Sequence, residues 1–398
     1  MAIIGGGLIG AFAAYFLRQH RRSVIVIEKA TAAAAASGRN FGNLRLQGHD
    51  PLEFPLALRA QAIWEALPRL TGEDCGLRGC GHAYLALSAA DAGKLDTIVN
   101  QGQAAGLAIE HLDGAAARRR WPWLAPLVIG ASWSRRDAVA EPKRASPAVV
   151  RLAVGAGAEL LEHTEVTGVA RTPSGFTVTT AAGTIDCGVL VNAAGAWGAA
   201  IARDCGEPVP MVAAGPPLFG VRSANAWEGP ALAAVDGTLL LRPGVDGETV
   251  AGSFPRVAAD LTSGTAAVLP DRVERGIKRL LEVVPGLGSV TPTRIWSGVE
   301  GYLADMRPVI GWSGTTPGLM HAFGCSGHGF QLAPAVGAAV ADLIATGATE
   351  TPVDAFTITR FGGGVVADAK LWQEFDPELV AQFRRDARAA DLRQRPQG

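Results

Sequence analysis

The sequence predicts an α/β protein in which a parallel-sheet, nucleotide-type domain interleaves with a second, mainly antiparallel β-sheet domain. Three observations point there. A short apolar run at Ala2–Ile4 meets a glycine turn, an apolar helix and then a β-branched strand, SVIVIE, at Ser23–Glu28. Strand-and-helix segments of this kind return mid-chain and again after Arg307. Between them, residues 207–296 carry many short strands and one amphipathic helix. Strand–helix–strand units imply parallel pairing with right-handed crossovers.

The elements follow in order. After the glycines comes a helix over Leu8–Arg18, then the strand ending at Glu28, a glycine-rich loop over Ser37–Gly48, and a helix over Pro51–Leu67. Residues 82–140 mix short strands with a helix around Asp91–Ala105. A helix over Ser146–Gly155 leads to strands at Glu159–Leu161, Val166–Arg171, Phe176–Thr180 and Cys187–Ala193. Period-3.6 spacing predicts a helix over Val268–Val284. Past Arg307 come the strands PVIG and LMHAFG and a long apolar helix over Gly329–Thr346. Residues 1–48, 141–206 and 307–364 therefore form one discontinuous domain, and 49–140 with 207–306 form the other. Residues 365–398 are expected to form a polar C-terminal tail or helix.

Composition removes several classes of function. A chain of 398 residues, 48% apolar and 18% charged, has the makeup of a folded protein with two sizeable cores. A net charge of −1 gives no field for nucleic acid or an anionic membrane. No run of about 20 apolar residues is present, so no membrane span is expected. Five cysteines without a CxxC pair read as reduced thiols in a cytoplasmic protein, with no metal centre.

The chemistry-bearing signals are glycine turns. Gly5-Gly6-Gly7-Leu8-Ile9-Gly10 fits GxGxxG between a strand and a helix. Gly5 serves the tight turn, Gly7 the approach of a pyrophosphate, and Gly10 close helix packing. Glu28, with Lys29 beside it, ends the second strand, where a carboxylate accepts ribose hydroxyls and repels a 2′-phosphate. VLVNAAGAW at Val189–Trp197 ends an apolar strand in small residues, Ala194 and Gly195 among them. HAFGCSGHGFQLAP at His321–Pro334 turns through Gly324 into a second helix N-terminus. A second dipole of this kind suits a flavin edge that becomes negative on reduction, which favours FAD over NAD.

Together GGGLIG, VIVIEK, SGRNFGN, NAAGAW and GCSGHGFQLAP resemble the D-amino-acid-oxidase/DadA-type superfamily of FAD-dependent oxidoreductases, over roughly residues 1–350. That superfamily includes glycine and sarcosine oxidases, D-amino-acid dehydrogenases and flavin subunits of opine and hydroxyproline dehydrogenases. The resemblance implies an FAD-binding Rossmann-like domain, with the antiparallel sheet of a substrate domain over the flavin. It implies that Ser37, Gly38, Arg39 and Asn40 line the pyrophosphate and flavin, and that Val166 holds the adenine through its backbone. Gly195 and Trp197 would close the nucleotide side, and Ser326, Gly327, His328, Gly329 and Gln331 would meet the pyrimidine edge. Where some sarcosine oxidases attach FAD through a cysteine, this chain has Gly298, so the FAD is expected to be non-covalent.

The implied reaction takes a hydride from the carbon next to an amine, giving an imine. The substrate would be a secondary amine, an N-substituted amino acid or a D-amino acid. Related chains clamp the substrate carboxylate with an arginine, and Glu300 occupies that position here. Glu300 then either faces a cationic substrate or pairs locally with Arg307 or Arg45. Arg45, Arg242 and His328 are the other candidate catalytic residues, with Arg222 a weaker one. No lysine stands in Gly247–Ser253 (GETVAGS), where oxygen-using relatives carry one. The acceptor is therefore left open among oxygen, a quinone and a partner flavoprotein. Two alternatives remain: oxidation of a 2-hydroxy acid or similar C–OH group, and a flavin-bearing subunit of a hetero-oligomeric dehydrogenase.

Overall fold

The structure is a computed structural model and describes residues 1–363 and 367–394. Its first layer is a six-stranded sheet in the order Val309–Trp312, Leu319–Phe323, Leu190–Asn192, Ala2–Ile4 (β1), Ile25–Ile27 (β2), Glu159–Leu161. Every pairing in it is parallel except that of the Val309–Trp312 edge strand. The Leu8–Gln19 helix (α1) covers this sheet and packs on Gly329–Thr346 and on Pro142–Gly155. These strands read as unbroken apolar runs because both of their faces are covered.

The apolar stretch expected as one strand over Cys187–Ala193 is two: Gly183–Cys187 in a three-stranded antiparallel meander, and Leu190–Asn192 in the parallel sheet. Gly188 separates them. The glycine-rich loop after Ser37 is also more ordered than expected. It holds a helical turn at Ala36–Arg39 and a short strand, Asn43–Leu44.

The second layer is built from antiparallel strands. An eight-stranded sheet runs from Val290–Trp296 at one edge to Ile109–Asp113 at the other, and one of its pairings, Ala231–Ala234 with His82–Ala86, is parallel. The Pro270–Val283 helix covers it, burying Val273, Leu280 and Val283 in its core. A four-stranded sheet carries Met211–Gly215 beside Glu300–Leu303.

The first core also takes residues from the 49–140 segment, Cys75, Ala138 and Ala140 among them. The Phe54–Thr71 helix, assigned by sequence position to the second domain, packs Leu56, Trp64 and Leu67 into the first core with α1 and Gly329–Thr346. Trp64 also donates its indole N–H to the Gln331 carbonyl at 2.9 Å. Among the described residues, Gly329–Thr346 is the helix long and apolar enough to cross a membrane; 67% of it is buried inside the fold. Beyond Gly363, Lys370–Gln373 and Pro377–Gln394 are helical. Leu371, Phe375, Leu379 and Phe383 pack there on Val212, Ala214 and Tyr302. The expected C-terminal helix therefore docks on the four-stranded sheet; residues 364–366 and 395–398 of that tail lie outside the described residues.

Candidate active site

The fingerprint turn is built as its glycines require. Gly5 sits at φ +109°, and a Cβ there would lie 2.4 Å from the Ala193 carbonyl oxygen. A Cβ on Gly10 would lie 2.0 Å from the Gly5 carbonyl oxygen, so any side chain would push α1 off β1. Gly7 is half-buried, and its missing side chain leaves the start of α1 open toward Ser37, whose Oγ accepts the Leu8 N–H at 2.9 Å. Leu8 is buried and Ile9 half-buried behind that turn. The Glu28 carboxylate accepts from the Gly6 amide at 2.8 Å and from Ala30 at 2.9 Å. It therefore stands beside the turn, where a ribose hydroxyl would compete for the same oxygens.

Other expected cofactor contacts frame the same groove. Lys29 Nζ lies 3.6 Å from the centre of the Trp197 ring, whose Nε1 donates to Leu261 O at 2.9 Å. Gly195 is exposed at φ +54° with nothing within 4 Å of where its Cβ would be, and half-buried Ala194 precedes it. Val166 opens the first strand of the meander. Asn40 is spent on the loop itself: its Nδ2 donates to Ser37 O at 2.7 Å, and its Oδ1 accepts from Gly42 N at 2.7 Å. A Cβ on Gly38 would lie 2.5 Å from Ala33 O. Arg39 presents its carbonyl to Trp296 Nε1 at 3.0 Å, and its side chain is exposed. A helix N-terminus with an open glycine, an acid at the ribose position and an unfilled space at Gly195 fit a dinucleotide such as FAD.

The second glycine turn runs through Gly324, Ser326 and Gly327, all at positive φ. Ser326 bridges it to the substrate-side strand: its amide donates to Gly301 O at 3.1 Å, and its Oγ accepts from Leu303 N at 3.1 Å. Gly329 then starts the long helix. Gln331 is placed away from the pyrimidine edge expected for it. It faces the Phe54–Thr71 helix and donates its amide to Ala57 O at 2.9 Å, because that face of the long helix packs on its neighbour.

His328, the last residue before the helix, meets Arg45. Arg45 Nη2 lies 2.9 Å from His328 Nε2, and His328 Nδ1 lies 2.8 Å from Glu53 Oε2. An arginine only donates and a carboxylate accepts, so the ring is neutral with its proton on Nδ1. Burial drives its pKa down to about 3 against the pull of Glu53. His49 reaches the same Glu53 oxygen with Nδ1 at 2.9 Å. Arg45 also donates to Gln47 O at 2.6 Å. Arg45, Tyr84, Glu300 and His328 keep partial exposure among buried neighbours, and we take the region they bound as the candidate substrate chamber.

Glu300 has neither of its expected partners. Arg307 is taken by Asp50, at 2.9 and 3.1 Å, and Arg45 by His328. Glu300 instead accepts from the Tyr302 hydroxyl, which in turn accepts from Arg256 Nε at 2.7 Å. Arg256 also pairs with Glu374 of the C-terminal segment. Burial pushes the Glu300 pKa up, opposed by Tyr302 and Arg256. Arg242 is only 2% exposed and bonds to Glu141 at 3.2 Å, to Pro243 O at 2.9 Å and to Phe41 O, so it fixes the loop under the chamber. Arg222 donates to Asp246 O at 3.4 Å in an exposed contact.

The sequence reading missed Glu53, His49 and Arg256. His49 precedes the Pro51–Glu53 helical turn, so no helical spacing in the sequence signals its contact with Glu53. Nothing near Arg256 in the sequence signals Tyr302: Arg256 precedes the Val257–Asp260 strand, and the Met211–Gly215 strand lies between that strand and Glu300–Leu303.

Comparison with known proteins agrees with this architecture. The family model described as FAD dependent oxidoreductase matches residues 1–343. Glycine oxidase from Geobacillus kaustophilus is 28% identical over 379 residues, covering 92% of this chain and 98% of that protein. N-methyl-L-tryptophan oxidase from Salmonella arizonae is 26% identical, covering 91% and 98%. Among solved structures, L-proline dehydrogenase from P. horikoshii superposes with a TM-score of 0.85 at 26% identity, covering 92% of this chain and 98% of that one. With a family model matched over residues 1–343, the chain belongs to the FAD-dependent oxidoreductase family.

Proposed function

We propose that the chain oxidises a C–N bond, taking a hydride from the carbon beside the nitrogen of a secondary amine, an N-substituted amino acid or a D-amino acid. The single observation carrying this choice over C–OH oxidation is the state of His328. Both ring nitrogens are engaged, by Arg45 and by Glu53, and burial keeps the ring neutral. It has no vacant nitrogen with which to take a hydroxyl proton. An amine needs no such base once its ammonium has shed a proton, because its own lone pair assists departure of the hydride. Relatives named glycine oxidase, N-methyl-L-tryptophan oxidase and L-proline dehydrogenase support the same reading.

Gly5, Gly7, Gly10, Glu28 and Ser37 would hold the nucleotide half of FAD, and the Ser326–Gly329 turn its ring. When bound, FAD supplies the two-electron acceptor. Arg45 is the cation placed to grip a substrate carboxylate, since position 300 carries a glutamate committed to Tyr302. His328 holds Arg45 from behind.

The electron acceptor is oxygen, a quinone or a partner flavoprotein, and a hetero-oligomeric assembly is the second reading for this chain. The free cysteines among the described residues are compatible with the cytoplasm. An anaerobic bleaching screen over D-amino acids, sarcosine-like amines, opines and 2-hydroxy acids tests the assignment. Bleaching by an amine class supports it, and bleaching by hydroxy acids alone overturns it. Acid precipitation should leave the yellow colour in solution; colour retained on the polypeptide would contradict non-covalent FAD.

A further inference from the structure

The contacts behind His328 contain one proton too few for their acceptors. His49 Nε2 faces the Arg45 carbonyl oxygen at 3.0 Å, and its Nδ1 faces Glu53 Oε2 at 2.9 Å. A carbonyl and a carboxylate both accept, whereas a neutral imidazole has one N–H. His328 cannot supply the missing proton, because its Nδ1–H already points to Glu53. With His49 neutral and Glu53 ionised, two lone pairs would face each other across the 2.9 Å contact to Glu53 or, in the other tautomer, across the 3.0 Å contact to the Arg45 carbonyl, in a site where His49 is 3% and Glu53 0% exposed. Glu53 Oε1 has no partner, so nothing on that oxygen relieves the arrangement.

His49, Glu53 and His328 bring two imidazoles and a carboxylate within 4.8 Å, a donor set that would otherwise suit a metal. Arg45 on His328 Nε2 removes that reading: it fixes the proton on Nδ1, which then has no lone pair to offer a cation.

We propose that Glu53 and His49 hold one additional proton between them, and that this loaded pair is a positioning unit that gives the Arg45 side of the chamber a net positive charge. The charges around it are Arg45, Glu53 and the neighbouring His328, with the Cys325 thiol below, pushed up to about 12 chiefly by burial. Loaded, the pair is neutral and Arg45 leaves the group at +1; unloaded, the carboxylate cancels Arg45. Taken singly, burial lowers the proton affinity of His49. His328 and His49 hold Glu53 below the usual carboxylate range despite its burial. The two groups share one contact, however, so the proton belongs to the pair.

The consequence is a linkage that rests on the proposed role of Arg45. A carboxylate in the chamber favours the loaded pair, so its binding takes up a proton wherever the pair is partly unloaded. Its affinity then falls by up to about tenfold per pH unit above the pair's apparent pKa.

The test uses the FAD-loaded enzyme and acetate, a carboxylate with no hydride to give, read through the flavin absorbance. Wild type should show pH-dependent binding and proton uptake. Glu53→Gln, whose carboxamide oxygen in the place of Oε2 accepts from both His328 and His49 and carries no titratable proton, should keep binding and lose the pH dependence. An identical pH profile in wild type and Glu53→Gln overturns the proposal. Histidine 15N spectra with infrared detection of buried carboxyls need no ligand. Near neutral pH a doubly protonated His49 is expected, or a protonated-carboxyl band that Glu53→Gln removes, which separates Glu53 from the buried carboxyls of Asp137 and Glu300; the absence of both overturns the proposal. Since neither arm involves turnover, failure of amine oxidation would leave this result standing, and the reverse also holds.

Discussion

The chamber has two charged sides, each built around an arginine, and they use that arginine differently. On the side of the first core, Arg45 bonds to a neutral imidazole and a backbone carbonyl, so its charge has no direct anionic partner among the described residues. On the side of the four-stranded sheet, Arg256 is bonded to Tyr302 and Glu374, and Glu300 lies behind the tyrosine. Arg256 also lies against the rings of Phe254, Tyr302 and Phe375, at 4.0, 4.7 and 5.1 Å. Two similar cations therefore have different roles, and the difference lies in their partners. A desolvated arginine already matched with carboxylates stabilises structure, while one matched with a neutral ring keeps its attraction for a ligand.

The predictions test this contrast against the frame that holds it. The largest effect is expected at the frame. Gly10→Ala puts a Cβ 2.0 Å from a backbone oxygen, and FAD affinity should fall about 1,000-fold, about 4 kcal/mol, so that the purified variant is nearly colourless. Full yellow colour would show that α1 tolerates displacement.

Removing the support of the first side comes next. Glu53→Ala strands two buried imidazole N–H groups and should cost about 3 kcal/mol in denaturant unfolding. Arg45→Ala should raise the KM for a carboxylate-bearing amine about 30-fold, about 2 kcal/mol, with unchanged FAD content. The contrast fails if Arg45→Ala leaves KM untouched.

A pH effect comes from Asp137, which is fully buried and accepts from Leu46 N at 2.9 Å and Ser134 Oγ at 2.7 Å. Burial raises its pKa to about 7 against those donors. The folded state therefore binds a proton that the unfolded chain has released. Stability should fall as pH rises from about 4 to about 7, by up to about 1.4 kcal/mol per unit from this group. Asp137→Asn should flatten that slope in unfolding measured across the range.

The smallest effect is expected at Glu300. Glu300→Gln can still accept from Tyr302, so stability should change by less than about 1 kcal/mol and the KM for cationic amines by less than about threefold. A tenfold rise in that KM would move Glu300 from the supporting group to the substrate.

The sequence reveals the parts of this molecule whose physics is local. The GxGxxG turn and the strand that leads to Glu28 are legible because a turn, a helix start and the end of the next strand lie within one strand–helix–strand unit. The long helix after Gly329 is legible from its length and apolarity. What stays hidden is company across the fold. Arg256 reaches Tyr302 over 46 positions, and Arg45 reaches His328 over 283. Gln331 and the Phe54–Thr71 helix are misplaced for a related reason. Their burial is decided by which layer they pack on, and adjacency in sequence points to the other one. Arg242 reads as a possible site cation, yet its partners Glu141 and Phe41 are equally remote.

The account turns on nitrogen chemistry at a chamber whose histidine, His328, has no vacant nitrogen, and one anaerobic experiment addresses that directly. The FAD-loaded protein is mixed with a 2-amino acid or its N-methyl form, and separately with the 2-hydroxy acid of identical carbon skeleton, while the flavin spectrum is followed. The amine should bleach the flavin at a rate that rises with pH as its ammonium loses a proton, and the hydroxy acid should leave it yellow. Equal or faster bleaching by the hydroxy acid would contradict the account.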